Sequence, residues 1–64
     1  MHIILNGTPR ECAIGITIAA LLEEAGNRRV AVEVNREIVP RSLHVEYALN
    51  EGDRVEIVQA IGGG

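Results

Sequence analysis

Apolar and polar positions alternate or recur with a clear period along most of the chain, and the period changes in register with the turn residues. Met1 to Leu5 is an apolar run that meets Asn6-Gly7, a pair that favours the positive φ angles of a tight two-residue hairpin turn. A returning strand over about Thr8 to Ala13 carries Pro9. Proline has no N–H for a ladder bond, so this strand is expected on a sheet edge. Thr17 then precedes Ile18, Leu21, Leu22 and Ala25, whose spacing lays one apolar stripe along a helix with Thr17 as N-cap. Glu23 and Glu24 fall off the stripe, and Gly26-Asn27 supplies a left-handed helix end.

Arg29 to Asn35 alternates, with Val30, Val32 and Val34 on one face, the pattern of a half-buried strand. Asn35-Arg36-Glu37 is a turn, and Ile38-Val39 a brief extended piece ended by Pro40. Leu43 to Leu49 reads as a helical turn or irregular loop, and Asn50-Glu51-Gly52-Asp53 as a turn. Arg54 to Ile61 alternates again, with Val55 and Ile57 inward, before Gly62-Gly63-Gly64. The order is hairpin, helix, strand, short strand, loop, strand. It predicts an α+β domain of the β-grasp, ubiquitin-like kind: a mixed sheet of four to five strands with one helix across one face. The first and last strands, the most apolar runs, should be parallel neighbours at its centre. Residues 1–61 would form this domain and residues 62–64 a flexible tail.

Composition narrows the function. The 64 residues include no Trp, no Phe and one Tyr, so the core must be built from Ile, Val, Leu and Ala. A chain this short buries only about 60% of the surface it exposes when unfolded, which leaves little room for an enclosed active site. All six basic residues are Arg, and the net charge is -3. That balance gives no footprint for nucleic acid or anionic lipid. Cys12 is the single cysteine, which excludes an internal disulfide and fits a reducing, cytoplasmic setting. The apolar N-terminal run is too short for a signal peptide and no run approaches a membrane span, so a soluble chain unprocessed at its start is expected.

No phosphate-binding glycine loop, zinc-ligand spacing, nucleophile elbow or carboxylate pair emerges. Cys12 falls at a position expected to face the core, with no cation next to it in sequence to activate a thiolate. His2 and His44 have no ligand companions at metal-binding spacing. Tyr47 is expected to pack its ring under the loop and to bond its hydroxyl to backbone, and Arg28 and Arg29 to lie on a solvated face open to partner contacts. The remaining chemistry is at the end. Three glycines after a central strand weaken it and contribute no packing, yet without Cβ atoms they can pass, extended, through a channel too narrow for side chains. If Ile3, Leu5, Val55 and Ile57 face the helix, Ile4, Val58 and Ala60 face the other side, adjacent across the two central strands. With Ile61 they make a candidate docking surface beside the tail.

Taken with the element order and length, Asn35 followed by Ile38-Val39-Pro40-Arg41, Glu51-Gly52-Asp53 before the last strand and the glycine end resemble the ThiS family of sulfur-carrier proteins over the whole chain. The related molybdopterin carrier MoaD shares the glycine pair and the turn. Many members of the wider family carry another residue where this chain has Gly62.

The resemblance implies a protein cosubstrate, not an enzyme, with Gly64 as the reacting residue and Gly63 as its spacer. A ThiF-type adenylyltransferase would join the Gly64 carboxylate to AMP. A persulfide from a cysteine desulfurase system would replace AMP to leave a thiocarboxylate, and a ThiG-type thiazole synthase would take up the sulfur for the thiazole ring of thiamin. ATP and Mg²⁺ would belong to the partner, with no cofactor bound by this chain. The alternatives are a MoaD-like carrier for molybdopterin or another pathway, a modifier conjugated to other proteins, and a β-grasp interaction module with an inert tail.

Overall fold

A computed structural model describes residues 1–26 and 30–59. Five strands and one α-helix follow in the order β1 (His2–Leu5), β2 (Thr8–Glu11), α1 (Ile18–Ala25), β3 (Val30–Val34), β4 (Glu37–Val39) and β5 (Arg54–Gln59), with a short 3₁₀ turn at Arg41–Leu43. The sheet order is β2-β1-β5-β3-β4. β1 and β5 run parallel, and every other neighbouring pair is antiparallel. The β-grasp expectation holds, with five strands.

Local chemistry sets most of these boundaries. Asn6 and Gly7 take φ of 49° and 82°, as the predicted hairpin turn requires, and β2 with Pro9 is the outer strand. Thr17 Oγ1 accepts from Ala20 N–H at 3.2 Å, capping α1, and Gly26 ends it with φ 72°. The turn between β3 and β4 is tighter than expected. Only Asn35 and Arg36 form it, with φ of 51° and 71°, and Glu37 already pairs with Val34. The helical turn also comes earlier than the apolar spacing suggested, because Pro40 supplies the fixed φ from which a 3₁₀ turn starts.

The core lies between α1 and one face of the sheet. Ile3, Ile18, Leu21, Val32, Leu49 and Val55 are fully buried there, with Ile16, Val30, Val34 and Val39 close behind. Each fully buried aliphatic side chain contributes about 1.5–3 kcal/mol, so this one-sided aliphatic layer replaces the missing aromatics. Leu22 and Ala25, on the predicted helical stripe, are half-buried. His44 is the one buried polar side chain among the described residues, and its Nε2 lies 3.0 Å from the Val39 carbonyl. A carbonyl only accepts, so Nε2 carries the proton.

Candidate functional site

The site expected from the sequence is the last strand and what continues from it. β5 sits at the sheet centre, and its start is held by polar residues that read, in sequence, as ordinary turn residues. Asn35 Oδ1 accepts from Arg54 N–H at 3.0 Å while its Nδ2 donates to Asp53 Oδ1 at 3.1 Å. Asp53 Oδ2 in turn accepts from Asn50 N–H at 2.8 Å. Glu51 Oε1 accepts from His2 N–H at 3.0 Å, and Gly52 N–H donates to the His2 carbonyl at 2.7 Å. The residues that carried the family resemblance, Asn35 and Glu51-Gly52-Asp53, therefore lock the turn before β5 onto both the β3–β4 hairpin and β1. Their role is positional. They fix where the strand that leads to the glycine end begins.

The open face of the sheet departs from the expected docking cluster. Ile4 and Val58 do share that face, Ile4 half-buried and Val58 51% exposed. They are not adjacent. Ile4 is opposite Arg54, whereas Val58 is four residues further along β5 and opposite Ala31 of β3, a separation of about 13 Å at the usual strand rise. The expectation assumed that β1 and β5 run side by side over their full length. In fact β1 turns away after Leu5, so β3 and not β1 is the neighbour of Val58. Between the two apolar residues lies Glu56, exposed and directly opposite the half-buried Glu33. This carboxylate pair was not found from sequence, because it needs the register of two strands distant along the chain. Ala60, Ile61, Gly62, Gly63 and Gly64 lie outside the described residues, as do Arg28 and Arg29.

The other candidate side chains do not assemble a reaction centre. Cys12 is a free thiol, half-buried against the core just beyond the end of β2, where its N–H donates to the Met1 carbonyl at 2.8 Å and its own carbonyl accepts from the terminal amine at 2.8 Å. His2 is exposed and His44 is engaged with Val39. The Tyr47 ring packs against the core as expected, but no hydrogen bond from its hydroxyl occurs among the described residues. No group of three or more His, Cys, Asp or Glu among the described residues is placed to hold a metal ion. A depression of about 180 Å³ beside β4 is bounded by Ile38, Pro40, Leu43 and Tyr47. A larger one, about 360 Å³, is bounded by Met1, Ile14, Ala48 and Leu49 at the end where β5 begins. Neither pairs a nucleophile with a base. No described helix is long and apolar enough to cross a membrane.

What the domain offers is thus a firmly held central strand leading to a glycine terminus. The sequence profile of the ThiS family matches residues 3–64. This chain belongs to the ThiS family. It is 35% identical to the sulfur carrier protein ThiS of Escherichia coli over 66 aligned positions that cover all of both chains. It is 48% identical to a thiazole synthase of Paramagnetospirillum magneticum, again over the whole of this chain but only 20% of that protein, so it spans about a fifth of that relative's length. In three dimensions it superposes on the thiamine biosynthesis protein ThiS of Geobacter metallireducens with a TM-score of 0.88, at 29% identity and full coverage of both chains.

Proposed function

We propose that this ThiS-family chain is a sulfur carrier for thiamin biosynthesis, modified by partner enzymes and without catalytic activity of its own. The observation that carries this reading is the family match over residues 3–64, which takes in the glycine end, together with full-length similarity to a sulfur carrier of the same size. The structure supports it by what it supplies: a central β5 held between β1 and β3, from which the sequence runs on to the glycine end.

The chemistry follows from the terminal group. A carboxylate is a poor electrophile, so an adenylyltransferase of the ThiF type, using its own ATP and Mg²⁺, joins the Gly64 carboxylate to AMP with release of pyrophosphate. A persulfide sulfur, supplied by a cysteine desulfurase system, displaces AMP, and cleavage of its S–S bond by a thiol leaves the terminal thiocarboxylate. Thiazole synthase takes this sulfur and returns the carboxylate. The occurrence of a region similar to this whole chain within larger thiazole synthases supports that enzyme as the acceptor. A reducing cytoplasm, in which Cys12 would remain a thiol, suits this cycle.

Intact mass after incubation with the adenylyltransferase, ATP and a sulfur donor tests the reading. One carboxylate oxygen should be exchanged for sulfur in the peptide ending at Gly64, in wild type and in Cys12→Ala alike. An unchanged mass with a partner proven active on another carrier, or sulfur mapped to Cys12, overturns it. Gly63→Val should suppress the exchange, since a branched Cβ crowds and stiffens the chain beside the reacting carbonyl.

A further inference from the structure

The two neighbours of β5 do not reach equally far along it. β3 pairs with β5 through to Gln59, whereas β1 pairs only as far as Val55 before the chain turns at Asn6-Gly7 into β2. Main-chain groups of the odd-numbered β5 residues point to the β1 side. The Val55 carbonyl accepts from Asn6 N–H at 2.9 Å, and Ile57 N–H donates to Asn6 Oδ1 at 2.8 Å. The Asn6 side chain thus stands in for one more β1 residue, and there the ladder stops. Past it, the Ile57 carbonyl and Gln59 N–H have no partner among the described residues. Among the described residues a notch is left in the sheet, walled by β3 on one side and open on the other.

We propose that this notch beside residues 57–59 receives an extended main-chain segment of the adenylating partner, which adds as a short strand where β1 leaves off. The inference rests on the carrier reading above. An acceptor at Ile57 followed by a donor at Gln59 is complemented, at strand spacing, by extended backbone, and strand addition is how exposed sheet edges take peptide partners. A second copy of this chain fits poorly. The open edge is three residues long among the described residues, each copy carries a net charge of -3, and a stable interface buries roughly 1,200 Å² or more. A larger enzyme can add the rest of the contact, starting with the exposed side chain of Val58 beside the notch. Main-chain pairing here also solves a recognition problem, because the residues that follow include three glycines with no side chains to grip. Bonds to Ile57 and Gln59 would fix the last described residues of β5, five positions before Gly64 in the sequence.

Gln59→Pro removes the N–H on the open side and spares the β3 ladder, whose bonds come from the even-numbered residues. Its melting temperature should match wild type, while kcat/KM for adenylation, followed by pyrophosphate exchange, should fall about tenfold or more, the loss of one well-formed hydrogen bond plus obstruction by the ring. Gln59→Ala, which keeps the N–H, should stay within about twofold of wild type. In wild type, the Gln59 amide should exchange freely with solvent and become protected when the adenylyltransferase is added without ATP. Adenylation of Gln59→Pro at the wild-type rate overturns the inference, as does a Gln59 amide that stays unprotected in the complex. Protection in the free carrier that grows with its concentration assigns the notch to a second copy and overturns it too. Failure of wild type itself to be adenylated overturns the carrier reading and this inference together, and so is distinguishable from failure of the inference alone.

Discussion

Glu33 and Glu56 stand directly opposite each other in the antiparallel ladder of β3 and β5, on the sheet face away from the helix. Like charges in that position repel. The ion pair found among the described residues is elsewhere, between Arg10 and Glu24 at 3.3 Å, and does nothing to relieve them. Glu56→Gln should therefore raise stability by about 0.2–1 kcal/mol, with the gain shrinking as salt screens the repulsion in wild type. Urea melts at low and high ionic strength check both parts. Equal midpoints for the two proteins at low salt would mean that the pair is already neutralised in solution.

The two residues of the β3–β4 turn should respond oppositely to glycine. Arg36 has φ 71°, a left-handed conformation that costs a side-chain-bearing residue roughly 1–2 kcal/mol, and its side chain makes no hydrogen bond among the described residues. Arg36→Gly should be neutral to stabilising by up to about 1 kcal/mol, the strain relief being partly offset by the looser unfolded chain. Asn35 shares the left-handed conformation, but its side chain also ties Arg54 and Asp53. Asn35→Gly should cost about 1–2 kcal/mol through those lost bonds. Thermal melting of the two variants, compared with wild type, separates strain from tethering.

His44→Leu keeps an apolar side chain in the same buried space and leaves the Val39 carbonyl without its donor. An unpaired buried acceptor costs about 1–3 kcal/mol, and a domain of this size should lose at least about 4 °C in melting temperature. His44→Gln, which retains a side-chain N–H, should recover part of the loss. No difference between the two would show that the imidazole acts by shape rather than through its bond to Val39.

Val55 and Val58 are three residues apart on one strand and point to opposite faces, 0% and 51% exposed. Val55→Glu places an unpaired charge in the core, at a cost of several kcal/mol, against a total stability of about 3–10 kcal/mol for a chain this long. Its cooperative melt should be lost. Val58→Glu should melt within about 0.5 kcal/mol of wild type and yet slow adenylation by the proposed adenylyltransferase, since it sets a third carboxylate beside Glu56 and Glu33 on the face where docking is proposed. Unaltered adenylation by Val58→Glu would move the partner's footprint off this end of the sheet.

Local chemistry made much of this architecture legible from the sequence. Asn6-Gly7 states its own turn because few other pairs tolerate two positive φ angles, Thr17 and Gly26 mark the helix ends through one side-chain oxygen and one left-handed residue, and Val30, Val32 and Val34 reveal a buried face by period alone. Each of these signals is complete within a few residues, so it survives without knowledge of the rest of the chain. The glycine end and the turn before the last strand carried the family resemblance for the same reason. The tertiary structure alone decided which distant residues meet. Where β1 stops against β5 depends on two turns far apart in the chain, and that register separates Ile4 from Val58, sets Glu33 against Glu56, gives Asn6 the Ile57 N–H to hold, and buries His44 over Val39. Alternation fixes only the face a side chain takes; its neighbour on that face is fixed by the strand pairing that the whole core enforces.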